Sequence, residues 1–285
     1  MRRFLTAALA ALSLGIPDPS SAQDATDLTT LMTAYEARGW EGVGRLNIGR
    51  TGMCTGALVA PDLVLTAAHC IHDRATGGLI APDRIEFLAG WRNGRASAYR
   101  GVRRAIAHPS YEYTGPEGDL RVANDIALLR LDSPIRLANV QPFSTADRPR
   151  KGSSVGVVSY AHDRANTPSL QEVCHVLARQ SGSLILSCEV DFGSSGAPIF
   201  TEVDGEPRIV SVVSAKAMIR GRPVSLGTNL ERPLAELMAL MDAPSSATGA
   251  ASTAARRMAP GQVGSGLSGG SRGLNSGGGA KFLKP

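Results

Sequence analysis

The chain lacks most of what a membrane-embedded or nucleic-acid-binding body needs. Apart from one apolar run near its N-terminus, Phe4 to Ile16, no stretch approaches the roughly 20 apolar residues that cross a bilayer. Residues 243 to 285 contain no Asp or Glu, yet hold Arg256, Arg257, Arg272, Lys281 and Lys284. The formal net charge of +5 therefore belongs to the chain's two ends, and residues 23 to 242 are close to neutral. That excludes the overall basic signal expected of a nucleic-acid-binding body. The same final segment, Ala-, Ser- and Gly-rich, has almost nothing apolar to bury and is expected to be disordered. A sharper alternative makes it an attachment segment, with its basic residues and Lys281-Phe282-Leu283-Lys284-Pro285 touching an anionic surface or a partner.

What is present fits an exported globular protein. With 285 residues, 43% of them hydrophobic, the chain can build one or two core-bearing units. Arg2 and Arg3 precede the early apolar run, and Ser20-Ser21-Ala22 follow it, which reads as a secretory signal peptide over residues 1–22, cleaved before Gln23. The Arg pair lacks the flanking residues of a twin-arginine signal. Four cysteines in an exported chain suggest two disulfides, with three pairings open. His69, Cys70 and His72 lie close in sequence but lack the remaining ligands of a metal site, so no metal or cofactor is expected.

Residues 23–42 form a separate N-terminal arm or pro-segment. Within it, Leu28, Leu31, Met32 and Tyr35 recur at helical spacing after Asp27, so residues 24 to 40 are expected to form a short helix. Short β-type runs follow: Val43 to Ile48, Cys54 to Val59, Leu63 to Ala67, Arg84 to Ala89, Val102 to Ala107, Ile126 to Leu131, Val155 to Tyr160, Val173 to Leu177, Leu184 to Cys188, Ala197 to Val203, Arg208 to Ser214 and Val224 to Leu230. Many strands without intervening helices argue for an all-β barrel or sandwich. Pro233 then opens a helix whose Leu234, Leu237, Met238 and Met241 share a face.

The chemistry centres on Asp191-Phe192-Gly193-Ser194-Ser195-Gly196-Ala197-Pro198, a Gly-rich turn presenting a serine before an apolar strand. A serine hydroxyl needs an adjacent base, an orienter for that base, and donors for the oxyanion formed on attack. Upstream, Leu63-Val64-Leu65-Thr66-Ala67-Ala68-His69-Cys70 ends an apolar strand on a histidine, and Asn124-Asp125-Ile126-Ala127-Leu128-Leu129-Arg130-Leu131 opens another on an acid. Gly152-Ser153-Ser154-Val155-Gly156 also matches a G-x-S-x-G nucleophile elbow. That elbow needs a strand before it, a helix after it and a late histidine, and the last histidine of the chain is His175.

The order His69, Asp125, Ser195 in these contexts resembles the trypsin-like, chymotrypsin-fold serine proteases, including their bacterial secreted glutamyl-endopeptidase branch, from about Val43 to Met241. The resemblance implies two six-stranded antiparallel β-barrels with a C-terminal helix over residues 43–242, meeting at a cleft. It implies a serine endopeptidase acting on protein or peptide substrates, with His69 as base, Asp125 as its orienter, Ser195 as nucleophile, and the N–H groups of Gly193 and Ser195 as oxyanion hole. It also implies disulfides Cys54–Cys70, bracing the histidine loop, and Cys174–Cys188, each closing a loop worth about 3 kcal/mol. Ser214 falls where the family has a serine that touches the acid and binds substrate backbone.

Three positions depart from that pattern. Ser194 replaces the aspartate that pairs with a newly cut N-terminus, Ala197 replaces a glycine, and Lys216 replaces a glycine on the wall of the specificity pocket. Glu189 falls at the pocket floor and, with Lys216, leans the reading toward a basic or small P1 side chain. A secreted monomer is expected. The competing class is a non-catalytic binding protein on the same fold, its pocket obstructed by Lys216.

Overall fold

The structure, a computed structural model, describes residues 24–115 and 118–244 and the backbone of 281–283. The signal-peptide reading and most of the C-terminal segment lie outside the described residues. No helix among these is long and apolar enough to cross a membrane.

The chain begins with the two-residue strand β1 (Thr29–Thr30). Strands β2 (Val43–Ile48), β3 (Gly52–Ala60), β4 (Leu63–Thr66), β5 (Ile85–Ala89), β6 (Ala98–Ala107) and β7 (Ala127–Leu131) then close into an antiparallel barrel in the order β2-β3-β4-β7-β6-β5. A short helix α1 (Asp119–Ala123) precedes β7. The second barrel comprises β8 (Ser154–Ser159), β9 (Ser169–Gln180), β10 (Ser183–Leu186), β11 (Pro198–Val203), β12 (Glu206–Ile219) and β13 (Arg222–Asn229), closed by pairing of β8 with both β9 and β11. Helix α2 (Glu231–Asp242) follows, and β14 (Lys281–Leu283) pairs with β12. The fold is thus two six-stranded barrels with a C-terminal helix.

The apolar runs lack alternation because both of their faces are covered. In β4, Val64 packs inside the first barrel, while Leu63 and Leu65 point into the layer between the barrels. Strand β7 repeats this, with Ala127, Leu129 and Leu131 inside and Leu128 between. From the second barrel, Phe200, Ile209 and Val212 enter the same layer, which Leu234, Leu237 and Met241 of α2 close from outside. Tyr160 is fully buried there; burial pushes its phenol pKa up, and its hydroxyl donates to the Trp91 carbonyl at 2.8 Å. One apolar layer shared by both barrels fixes their relative placement, which the site between them requires.

Two expectations fail. Residues 24 to 40 are not helical: Thr29 and Thr30 pair with Leu170 and Ser169 of β9, and Thr26 and Leu31 donate backbone bonds to Val173 and Pro168. Of the four residues spaced for a helix face, Leu31 is buried, whereas Met32 and Tyr35 are 54% and 78% exposed. Pairing on the open edge of β9 takes the place of local helical hydrogen bonds. At the other end, residues 281–283 form a strand rather than a disordered terminus.

Candidate active site

His69 lies in a single 3-10 turn, Ala68–Ile71, directly after β4. The register of β4 on β7 pairs Thr66 with Ala127, so the antiparallel continuation brings residue 125 beside residue 68. Asp125 is held there by its N–H bond to the Val122 carbonyl at 3.2 Å, and its own carbonyl accepts from the Thr228 hydroxyl at 3.1 Å. Its buried carboxylate accepts three hydrogen bonds. Oδ1 takes the backbone N–H of His69 at 2.8 Å, and Oδ2 takes His69 Nδ1 at 2.7 Å and the Ser214 hydroxyl at 2.5 Å. Both oxygens of this buried carboxylate are thus hydrogen-bonded, and by accepting at Oδ2 it fixes the Nδ1–H tautomer of His69. Nε2 is thereby left with its lone pair free to accept a proton.

The serine turn is clamped from both barrels. Thr55 of β3 donates its N–H to the Ser195 carbonyl at 2.9 Å and its hydroxyl to the Gly193 carbonyl at 2.9 Å, while Gly196 N–H reaches the Val213 carbonyl at 2.7 Å. The turn also abuts the strand leading to His69: a Cβ on Gly196 would meet Thr66 Oγ1 at 2.1 Å and Ala67 N at 2.9 Å. At φ +76°, Gly196 further occupies the left-handed region. Gly196→Ala should therefore cost about 3 kcal/mol of stability and, by displacing Ser195, on the order of 100-fold in kcat. Thermal melts alongside turnover would check it, and an unaltered kcat would show that the turn tolerates displacement. The Ser195 hydroxyl itself bonds to no described residue.

The amides of the turn sort cleanly. Asp191 N–H bonds to Ser194 Oγ, Phe192 to Asp191 Oδ1, Ser194 to the Asp191 carbonyl, Gly196 to Val213 and Ala197 to Ser194. Only Gly193 and Ser195 have no internal acceptor among the described residues. The Phe192 carbonyl accepts from His162 N–H at 2.8 Å, and in a trans peptide this aims the Gly193 N–H the opposite way. A side chain at Gly193 would collide with Met53 Cε at 2.3 Å and Ala161 Cα at 3.0 Å. The geometry can hold an oxyanion with two backbone donors.

Both disulfides pair as the resemblance implies: Cys54–Cys70 ties β3 to the histidine turn, and Cys174–Cys188 ties β9 to the segment before the serine turn. Cys54, His69 and Cys70 cluster closely, but their sulfurs are joined to each other and offer no thiolate to a metal.

A cavity of about 330 Å³ opens beside the serine turn, lined among others by Leu28, Arg164, Glu189, Asp191, Lys216 and Val224. Lys216 Nζ lies 3.7 Å from Asp191 Oδ2, while Glu189 forms no ion pair among the described residues. Sequence reasoning missed Arg164 altogether. Its Nη2 donates to Ser159 Oγ at 3.1 Å and Ser194 Oγ at 3.4 Å; burial pulls its pKa down, and Asp163, Asp191 and Glu189 oppose that shift. Ser194, fully buried, also donates toward the Tyr160 carbonyl at 3.3 Å. Arg164 thus reaches the residue that replaces the family's aspartate, and nothing in its local sequence marks it. A second cavity of about 350 Å³ lies between Thr145–Asp147 and α2; no serine or histidine lines it.

Paired antiparallel barrels with histidine, acid and serine at their junction define the chymotrypsin-fold serine proteases. The Trypsin family matches residues 32–216, and the chain belongs to it. Serine protease 23 of Mus musculus is 28% identical over 172 residues, covering 54% of this chain and 44% of its own length. Duodenase-1 of Bos taurus is 35% identical over 137 residues, 44% of this chain and 48% of that protein, and the glutamyl endopeptidase of Bacillus licheniformis is 26% identical over 155 residues, 53% and 46%. The chain spans about half the length of these curated relatives. A solved Glu endopeptidase in complex with MPD superposes with a TM-score of 0.63 at 19% identity, covering 76% of this chain and 97% of that one, which supports the fold.

Proposed function

We propose that this protein is a secreted serine endopeptidase that cleaves peptide bonds through an acyl-enzyme. The observation that carries this reading is that the His69–Asp125–Ser214 hydrogen bonds lie next to the Ser195 turn, which packs against Ala67 and Val213 and whose amides at Gly193 and Ser195 have no acceptor among the described residues. Ser195 Oγ attacks the scissile carbonyl as His69 Nε2 takes its proton. The negative charge passes to the carbonyl oxygen, which the Gly193 and Ser195 N–H groups receive. The tetrahedral adduct collapses, the C–N bond breaks, and His69 returns the proton to the leaving amine. Water then repeats the sequence to release the acid and regenerate Ser195. Two disulfides support an export route. Digesting a peptide library tests the reading: cleavage that stops when Ser195 is blocked is expected, and a folded protein that cleaves nothing would favour a binding role.

For P1 specificity, Lys216 is engaged by Asp191, which leaves Glu189 open to a basic side chain. Glu189→Gln should lower turnover of P1 Arg peptides by about 10- to 100-fold and of P1 Ala peptides little. Lys216→Gly, freeing Asp191, should raise turnover of P1 Arg. An enzyme that instead prefers P1 Glu would assign the pocket to Arg164 and Lys216.

A further inference from the structure

We infer that this chain's own segment Lys281–Leu283, paired on the edge of β12 just beyond the serine turn, restrains substrate entry. This rests on the protease reading and adds a regulation of the same site. Strand β13 covers one edge of β12 from Ser211 to Ile219. On the other edge, β11 covers Glu206 to Val212, and the serine turn extends this coverage to Val213 through the Gly196 N–H and the Ala197 carbonyl. There the partner strand departs. The next residue, Ser214, bonds to Asp125, and after it β14 takes up the same ladder, pairing Leu283, Phe282 and Lys281 with Lys216, Ala217 and Met218.

An extended peptide whose carbonyl lies at Ser195 has to run beside the backbone groups that follow Val213, because those before it are already bonded. The open stretch therefore begins at Ser214, and β14 covers it from Lys216 outward. Being antiparallel to β12, β14 runs toward Ser214 and hence toward the serine turn. Main-chain pairing at an open edge is a general mode of peptide capture, tolerant of side-chain identity. Residues 245 to 280 have a contour length of about 120 Å, ample for a domain whose radius of gyration is about 17 Å, so pairing within one chain is accessible. Lys216 belongs both to this ladder and to the cavity wall, which couples tail occupancy to the mouth of the pocket.

The test compares the full chain with the full chain carrying Phe282→Pro and Leu283→Pro, which remove two adjacent backbone donors, one of them facing β12. Three readouts separate the possibilities. Amide hydrogen exchange within Lys216 to Met218, at the N–H groups that face β14 rather than β13, should be about tenfold or more faster in the variant. KM for peptides with four or more residues before the scissile bond should fall by about threefold or more, with kcat and the turnover of single-residue esters unchanged. Adding the peptide Gly-Gly-Gly-Ala-Lys-Phe-Leu-Lys-Pro to the variant should restore the higher KM competitively. Equal exchange in both forms, unchanged KM, or a KM of the full chain that rises with enzyme concentration would each overturn the inference. A small fluorophosphonate, too short to pair with β12, should label Ser195 in both forms. If it labels neither, the protease reading fails, while the exchange comparison still decides whether β14 pairs.

Discussion

Ser195→Ala should lower kcat for peptide hydrolysis on the order of 10⁶-fold while leaving the melting temperature nearly unchanged. The loss is large because no other hydroxyl can substitute. Ser194, its neighbour, is fully buried and tied to Arg164, Ser159 and Tyr160. Stability is spared because the Ser195 hydroxyl bonds to no described residue, whereas the backbone bonds from Thr55 and Gly196 survive the substitution. Ser194→Ala should behave in the opposite sense. It keeps the nucleophile but leaves the half-buried Arg164 short of a partner, costing about 1–2 kcal/mol of stability. Turnover and thermal melts on the two single mutants check both, and a Ser195→Ala protein with residual kcat above a thousandth of wild type would remove Ser195 from the chemistry.

Asp125→Asn should lower kcat on the order of 10⁴-fold with little change in fold. The hydrogen bonds dictate which way the new amide sits. The His69 backbone N–H needs an acceptor where Oδ1 stands, so the Asn oxygen takes that place and its NH₂ faces His69 Nδ1 and the Ser214 hydroxyl. Ser214 can accept such a donor. His69 can do so only by presenting an unprotonated Nδ1, which moves its proton to Nε2 and removes the base that Ser195 needs. Asn is nearly isosteric with Asp, so packing survives. Proton NMR of the imidazole N–H, together with kcat, checks the mechanism of the loss: the ring proton should move from Nδ1 to Nε2.

Much of the fold is legible in the sequence. The strands were legible because both faces of β4 and β7 are buried, which forces continuous apolar runs, and the turns between them carry Gly and Pro. The positions of His69 and Asp125 at the ends of such runs carried the site, because the register of β4 on β7 makes strand ends neighbours. Three features were not legible, for different reasons. The N-terminal segment has the spacing of a helix, but its stability comes from backbone bonds to β9, which no local pattern records. Strand β14 carries only three residues in a segment of loop-like composition, and it pairs because β12 offers an edge, a property of the sheet rather than of the tail. Arg164 belongs with these: its part in the site comes from a loop folding back onto Ser194, and its local sequence has no feature of its own.

The most direct measurement is mass-spectrometric mapping of the adduct formed by a small fluorophosphonate on the full chain and on a His69→Ala variant. A single adduct on Ser195 in the former, and loss of labelling in the latter with the fold retained, is the expected result. An unlabelled but folded wild-type protein, or an adduct on Ser194 or Ser214 instead, would contradict the assignment of Ser195 as a nucleophile activated by His69.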